Sequence, residues 1–451
     1  MADAISTRRD FVLGTAAAAA WPMTGAMGAT PDPHALVAED AFIWGFPLVL
    51  TGRYLDLAKR KGAVFNRFCV TPTLATPALN VAGPNVDTLY GYAWIDLASG
   101  PLVLAVPDTH DRYYSIQFVD AYGNTFSYVG RRQTGTKAGV YVLTPPGWAG
   151  KLPDGAKQIP ATTSLVFSLT RTLVRGDKDL AAAQQAQQGF TLGPLAAYPH
   201  GQKQPIPQEN ALNVLPILDL SKSGPAYFDE LGALAKAYPP PSQDADGVPR
   251  FARAGIGAGL TPSRNPALVS LLAKAVPGGL ARIHAAKLAT VVNGWSVNYK
   301  ITNFIRDPLE RAVVNQVGPG AHIAKEALYF SANGGPDGKP LGGHTAYKLT
   351  FPGGHLPPVD AFWSLTLYGP DYRLVENPLK RYAINDRTAG LAYGRDGSLS
   401  IQIQHAAPAA GQSNWLPAPE GPYKLLFRTY QPRPELYDGT YKLPPLEVAS
   451  A

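Results

Sequence analysis

The sequence predicts a mainly β, multidomain α+β chain with an N-terminal β-sandwich, a helical middle section and a C-terminal jelly roll or sandwich. Three observations carry this. The 451 residues include 45 Gly and 43 Pro alongside 10% aromatics, and many turns joined to many aromatics mark a β-rich globular chain rather than a disordered one. Short stretches rich in β-branched and aromatic residues recur at 88–94, 102–106, 113–119, 140–144 and 164–172, bounded by Gly, Pro and Asp turns. They return at 347–351, 362–368, 398–404 and 423–430, after a segment from about 226 to 312 in which helical spacing dominates.

Taken in order, Ala38, Phe42, Phe46, Val49 and Tyr54 recur at helical spacing within 34–61, which predicts a helix packed on the core with a kink at Pro47, where proline removes a helix hydrogen bond. Residues 177–189, rich in Ala and Gln, form a second helix. The division that follows is 1–29 signal peptide, 30–62 helix on the core, 63–195 β-sandwich, 196–318 helical domain and 319–451 jelly roll. No repeat of fixed period interrupts it.

Arg8-Arg9, ahead of the apolar run from Phe11 to Ala20, read as a twin-arginine export signal, with a peptidase site among Ala26, Gly28 and Ala29. The expected address is the periplasm or beyond, and the expected export partner is the twin-arginine translocation machinery. No second apolar run of membrane-span length is expected, so no stable membrane insertion is anticipated. The formal net charge of +7 is spread along the chain without a basic stripe, which argues against nucleic-acid binding. Cys69 is the only cysteine, and the eight histidines lie apart, so no intramolecular disulfide, metal or other cofactor is expected. Gly255-Ile256-Gly257-Ala258-Gly259 follows a helical stretch rather than a strand and reads as structural.

Chemistry-bearing residues gather beside aromatics. Asn85, Asp87 and Tyr90 stand where a loop enters a strand, either as ligand groups or as builders of the turn. In 112–122, alternation places Arg112, Tyr114, Ile116 and Phe118 on one face, with Asp120 and Tyr122 following. Facing a cleft, Arg112 clamps an anion while Tyr114 or Tyr122 donates a hydrogen bond or proton. Otherwise Arg112 forms a buried ion pair with Asp87 or Asp120. Trp363, Tyr382, Asn414, Trp415 and Arg428, in segments of Trp and Asn beside prolines, supply rigid pocket walls or core plugs.

At these residues the chain resembles a bacterial two-domain family of unknown function, DUF1254 followed by DUF1214. The first pattern reads as Asn85-Val86-Asp87-Thr88-Leu89-Tyr90, Asp111-Arg112-Tyr113-Tyr114 and Gln117-Phe118-Val119-Asp120. The second reads as Asp360-Ala361-Phe362-Trp363-Ser364, Arg381-Tyr382, Asp396-Gly397-Ser398-Leu399 and Asn414-Trp415-Leu416-Pro417. The resemblance implies the sandwich, helical domain and jelly roll, and no established activity.

Three functional readings follow. In the first, a metal-independent hydrolase or lyase holds a small organic molecule between the β domains, with Arg112 as clamp, Asp87 or Asp120 as general base and Tyr90 or Tyr114 as proton donor. In the second, the same cleft binds a carbohydrate or lipid-like ligand without catalysis, gripped by Trp363 and Trp415. In the third, the aromatics pack a homo-oligomer interface.

Overall fold

Apolar residues at helical spacing make the first element a core helix, and the rest of the fold is arranged on it. A computed structural model describes residues 33–79, 81, 83–199 and 218–449. The export signal expected over 1–29 lies outside these, as does His200. Helix α1 (Pro33–Arg60) continues through Pro47. The strands β1 (Cys69–Val70), β2 (Thr88–Asp96), β3 (Leu102–Val106), β4 (Tyr114–Asp120), β5 (Thr125–Gly130), β6 (Gly139–Thr144), β7 (Lys157–Pro160) and β8 (Leu165–Leu173) follow. After α2 (Leu180–Gln188), β9 (Thr191–Pro194) completes a sandwich of sheets ordered β1-β2-β8-β4-β5 and β7-β6-β3-β9.

Helices α3 (Ala226–Ala237), α4 (Val248–Arg253) and α5 (Pro266–Ala285) come next, then the hairpin β10 (Thr290–Val292) and β11 (Trp295–Val297), then α6 (Pro308–Val317). The second sandwich continues with β12 (Ala327–Ala332), β13 (Tyr347–Phe351), β14 (Val359–Tyr368), β15 (Ala383–Asn385), β16 (Leu399–Gln404), β17 (Trp415–Pro417) and β18 (Lys424–Pro432). After the short α7 (Pro434–Tyr437), β19 (Leu446–Val448) closes it, and its sheets are ordered β10-β11-β12-β18-β14-β15 and β17-β16-β13-β19. From β12 onward the strands largely alternate between the two sheets, as in a jelly roll. The expected boundary at 319 falls after the hairpin β10–β11, which already belongs to the second sandwich, whereas α6 packs back on α1. Three-residue strands inside a helically patterned stretch give too short an alternation to read.

The five-stranded sheet positions everything else, because both its faces are buried. Its inner face, with Ala93, Tyr114, Ile116, Phe118 and Val166, packs on the four-stranded partner sheet. One half of its outer face, with Tyr92, Trp94, Phe167 and Leu169, packs on α1, α3 and α5. The other half meets the six-stranded sheet through Tyr113, Leu173, Ala327, Phe362 and Tyr430. The helical section is therefore a layer on the first sandwich.

By length and apolarity α1 and α5 are each able to cross a membrane, contrary to the sequence expectation. In α1 that apolar surface serves the core: Phe42 is fully buried, edge-on to Phe46 at 5.9 Å and against Tyr227 at 4.5 Å. Gly45 and Gly279 permit the approach, since a Cβ on Gly45 meets Leu231 at 2.5 Å and one on Gly279 clashes with the Phe42 ring. Phe42→Ala is expected to lower unfolding free energy by about 3–5 kcal/mol, read from urea denaturation.

Candidate functional site

The loop ahead of β2 docks one sandwich on the other. Asn85 builds the turn, its Oδ1 accepting from the backbone N–H of Asp87 at 3.0 Å and of Thr88 at 2.9 Å. Its Nδ2 donates to the Tyr430 hydroxyl at 2.7 Å. The Asp87 carboxylate accepts from Ser364 Oγ at 2.7 Å, Asn385 Nδ2 at 3.0 Å and Arg387 Nη2 at 2.7 Å, all on the second sandwich. Tyr368 donates to the Pro84 carbonyl at 2.5 Å and Arg428 to that of Gly83 at 2.8 Å.

Beneath this loop lies a buried cluster of unusual polarity. Arg171, near the end of β8, donates to Gln117 Oε1 at 3.1 Å and to the Gly320 carbonyl at 2.8 Å, with its guanidinium 5.6 Å from the Tyr90 ring centre. Arg428, in β18, donates to Thr366 Oγ1 at 3.1 Å besides Gly83, over the Tyr368 ring at 5.6 Å. Among the described residues neither arginine has a carboxylate within ion-pairing distance. Burial opposes the Arg171 charge, yet Tyr329, Tyr90, Tyr430 and Tyr113 around it hold its pKa above the ordinary value. Burial opposes the Arg428 charge in the same way, and Tyr368, Tyr430 and Tyr90 raise its pKa. Tyr90 and Tyr430 thus stand between two cations. Arg171 is buried, and Tyr329 beside it is half-buried.

Two proton-exchanging groups stand within electrostatic reach of Arg171. Glu326 accepts from the Tyr113 hydroxyl at 2.9 Å, and burial pushes its pKa up to about 7 against the opposing pull of that hydrogen bond. His322 lies between Ser115 Oγ, 3.4 Å from Nε2, and the Tyr128 hydroxyl, 3.3 Å from Nδ1. Burial and then Arg171 hold it well below the ordinary imidazole value, so it is neutral. The set therefore offers two fixed cations, tyrosine hydroxyls, a neutral imidazole and a carboxyl that titrates near neutrality, which is acid–base equipment beside an anion clamp.

The structure brings Asn85, Asp87, Tyr90 and Arg428 together here, and places the other sequence candidates elsewhere. Arg112 is sealed by Asp179, with Nη2 2.7 Å from Oδ1, and by the Leu173 carbonyl at 2.7 Å, so it is paired with neither Asp87 nor Asp120 and is closed to a ligand. Tyr114 fills the sandwich core against Phe190 at 5.2 Å, where burial raises its pKa to about 12. Asp120 and Tyr122 lie under the helical layer. Asp120 accepts from Thr162 and Asn124 and is pushed up to about 6 by burial, while Tyr122 donates to the Tyr238 carbonyl at 3.0 Å. Trp363 stacks on Phe427 inside the second sandwich. Asn414 pins the Ala392 and Ser400 carbonyls and Trp415 that of Gln404, so both act as loop staples, and Tyr382 reaches Glu376 at 3.2 Å. Sequence reading missed Arg171, Tyr113, His322, Glu326, Tyr329 and Tyr430. The available signal was a lone arginine inside each of two apolar strands.

Residues 65–194 match the family model described as a protein of unknown function, DUF1254, and residues 326–434 match the one described as a protein of unknown function, DUF1214. The chain belongs to the two-domain family that joins them. Among solved structures it is similar to the VPA0106 protein from Vibrio parahaemolyticus, with a TM-score of 0.71 and 22% identity over 92% of this chain and 100% of that one, which shows a shared fold. It also aligns with an uncharacterised protein from Burkholderia cenocepacia at a TM-score of 0.44 and 13% identity, over 94% of this chain and 91% of that one. No curated protein matches it.

Glu326 gives the cluster a pH signature. Folded, it keeps its proton to about pH 7, whereas its ordinary value is 4.5, so the native state binds the extra proton between those values. Its contribution is complete below about pH 4.5 and is lost as pH rises through 7. Glu326→Gln, which cannot ionise, is expected to gain on the parent protein by up to about 3 kcal/mol between pH 4.5 and 8 in urea unfolding. Asp120 and Asp386, raised in the same direction, remain in both proteins. An unchanged gap across that range counts against the assignment.

Proposed function

We propose that the protein binds a small organic carboxylate between the two sandwiches and performs proton-transfer chemistry on it, of the hydrolysis or elimination type. The carrying observation is the pair Arg171 and Arg428, both buried, both without a carboxylate at ion-pairing distance among the described residues, with Glu326 acting on Arg171 only at longer range, and both facing Tyr90 and Tyr430. Taking a guanidinium out of water costs several kcal/mol unless an anion compensates it, and a carboxylate matches its planar donor fork. Glu326, hydrogen-bonded to Tyr113, is the proton-exchanging group beside that anion. The substrate stands against fixed donors, so charge developing on it is stabilised without reorganisation.

The same pair supports a binding protein that holds its carboxylate without turnover, because compensation of the two charges requires no reaction. Export by the twin-arginine route, read from Arg8-Arg9, would put either activity outside the cytoplasm.

Thermal-shift and calorimetric titration with acetate, succinate and citrate, against acetamide and glycerol, tests this reading. At least one carboxylate is expected to raise Tm, since a ligand at 100 times Kd adds about 2.7 kcal/mol of stability. Arg171→Gln should abolish the shift while leaving the ligand-free protein no less stable. An equal shift in Arg171→Gln, or none for any carboxylate in the parent protein, contradicts it.

A further inference from the structure

The helical layer contains a cavity of about 340 Å³ that the interdomain cluster does not use. Its walls come from α1, the segment around α4, α5 and the start of α6, with Trp44 and Phe251 as aromatic surfaces 5.6 Å apart. Arg311 forms part of the floor and is fully buried. Its Nη1 is held by Asp244 and by the Ile305 carbonyl at 3.2 Å, while Nε and Nη2 have no partner. Those two nitrogens share one edge of the guanidinium, the edge that takes a carboxylate bidentately.

The surrounding acids are largely engaged. Asp244 also accepts from Asn124 at 2.7 Å, Asp40 is paired with Arg250 at 2.6 Å and Arg282 at 2.8 Å, and Asp307 caps α6 by accepting from Leu309 N–H at 2.8 Å. At the rim, Arg306 is exposed and has no ion-pair partner among the described residues, and Asp246 stands opposite in charge. The lining balances four arginines against four aspartates, so an anion is recognised by the free edge of Arg311 rather than by excess charge, which fits one planar monoanion, while the neighbouring carboxylates disfavour a phosphate dianion. The volume lies at the low end of small-molecule sites and admits a single aromatic ring against Trp44 and Phe251.

We propose that this cavity is a second binding site, separate from the interdomain cluster, for an aromatic monocarboxylate whose carboxyl group takes the free edge of Arg311. That edge is closed to solvent in the unliganded form, so uptake requires the floor to part.

Titration with 4-fluorobenzoate, followed by fluorine NMR and by tryptophan fluorescence, tests the proposal, with 4-fluorobenzamide and inorganic phosphate as comparisons. Saturable binding of the benzoate alone is expected, with Arg311→Gln weakening it on the order of tenfold or more. Leu309→Trp, at a half-buried lining position, fills the cavity while sparing Arg311, and should abolish binding even if Arg311→Gln fails to fold. Arg171→Gln should leave benzoate binding intact, which separates this site from the interdomain reading. Absence of benzoate binding to the parent protein, equal binding of the amide, or undiminished binding to Leu309→Trp overturns it.

Discussion

Two guanidinium groups taken out of water between the sandwiches are the constraint on which the rest of the structure depends. Arg171 and Arg428 stand in buried strands, and both side chains are buried. Five tyrosines around them are polar at the tip and apolar in the body: Tyr90, Tyr113, Tyr329, Tyr368 and Tyr430. Tyrosines cover the large area a sheet-on-sheet contact needs while leaving hydroxyl oxygens for the cations. The interface is thus built to hold charge.

Asp87 shows how that arrangement is fixed in place. Its carboxylate receives three donors from the second sandwich, while Asn85 sets the turn that presents it and reaches Tyr430. Arg387, paired with Asp87, lies over the Phe362 ring at 4.5 Å, and Phe362 stacks on Tyr430 at 4.2 Å. A single short loop therefore aligns the two sheets and places the tyrosines that face the arginines. A change at Asp87 propagates to the cluster through that chain of contacts rather than by touching a ligand.

Much of the fold was legible because its signals are local. The strands 88–96 and 359–368 announce themselves through aromatic and β-branched runs, and α1 through its helical spacing. The hairpin at 290–297 was hidden because its strands are three residues long. The site was half legible. Asn85, Asp87 and Tyr90 sit in one loop and strand, but their partners stand some 280 to 345 positions away, and no spacing rule encodes such pairing. Arg112 beside Tyr114 looked like a clamp because alternation on a strand says which residues share a face and not what lies opposite. Opposite Tyr114 lies the sandwich core, and opposite Arg112 lies Asp179.

Native mass spectrometry of freshly purified protein tests the central claim most directly, because a compensating anion has a mass. The account predicts a fraction of molecules carrying one small acidic compound, released on denaturation, and absent from Arg171→Gln and Arg428→Gln. A parent protein found at its bare mass and unable to take up any added carboxylate would contradict it.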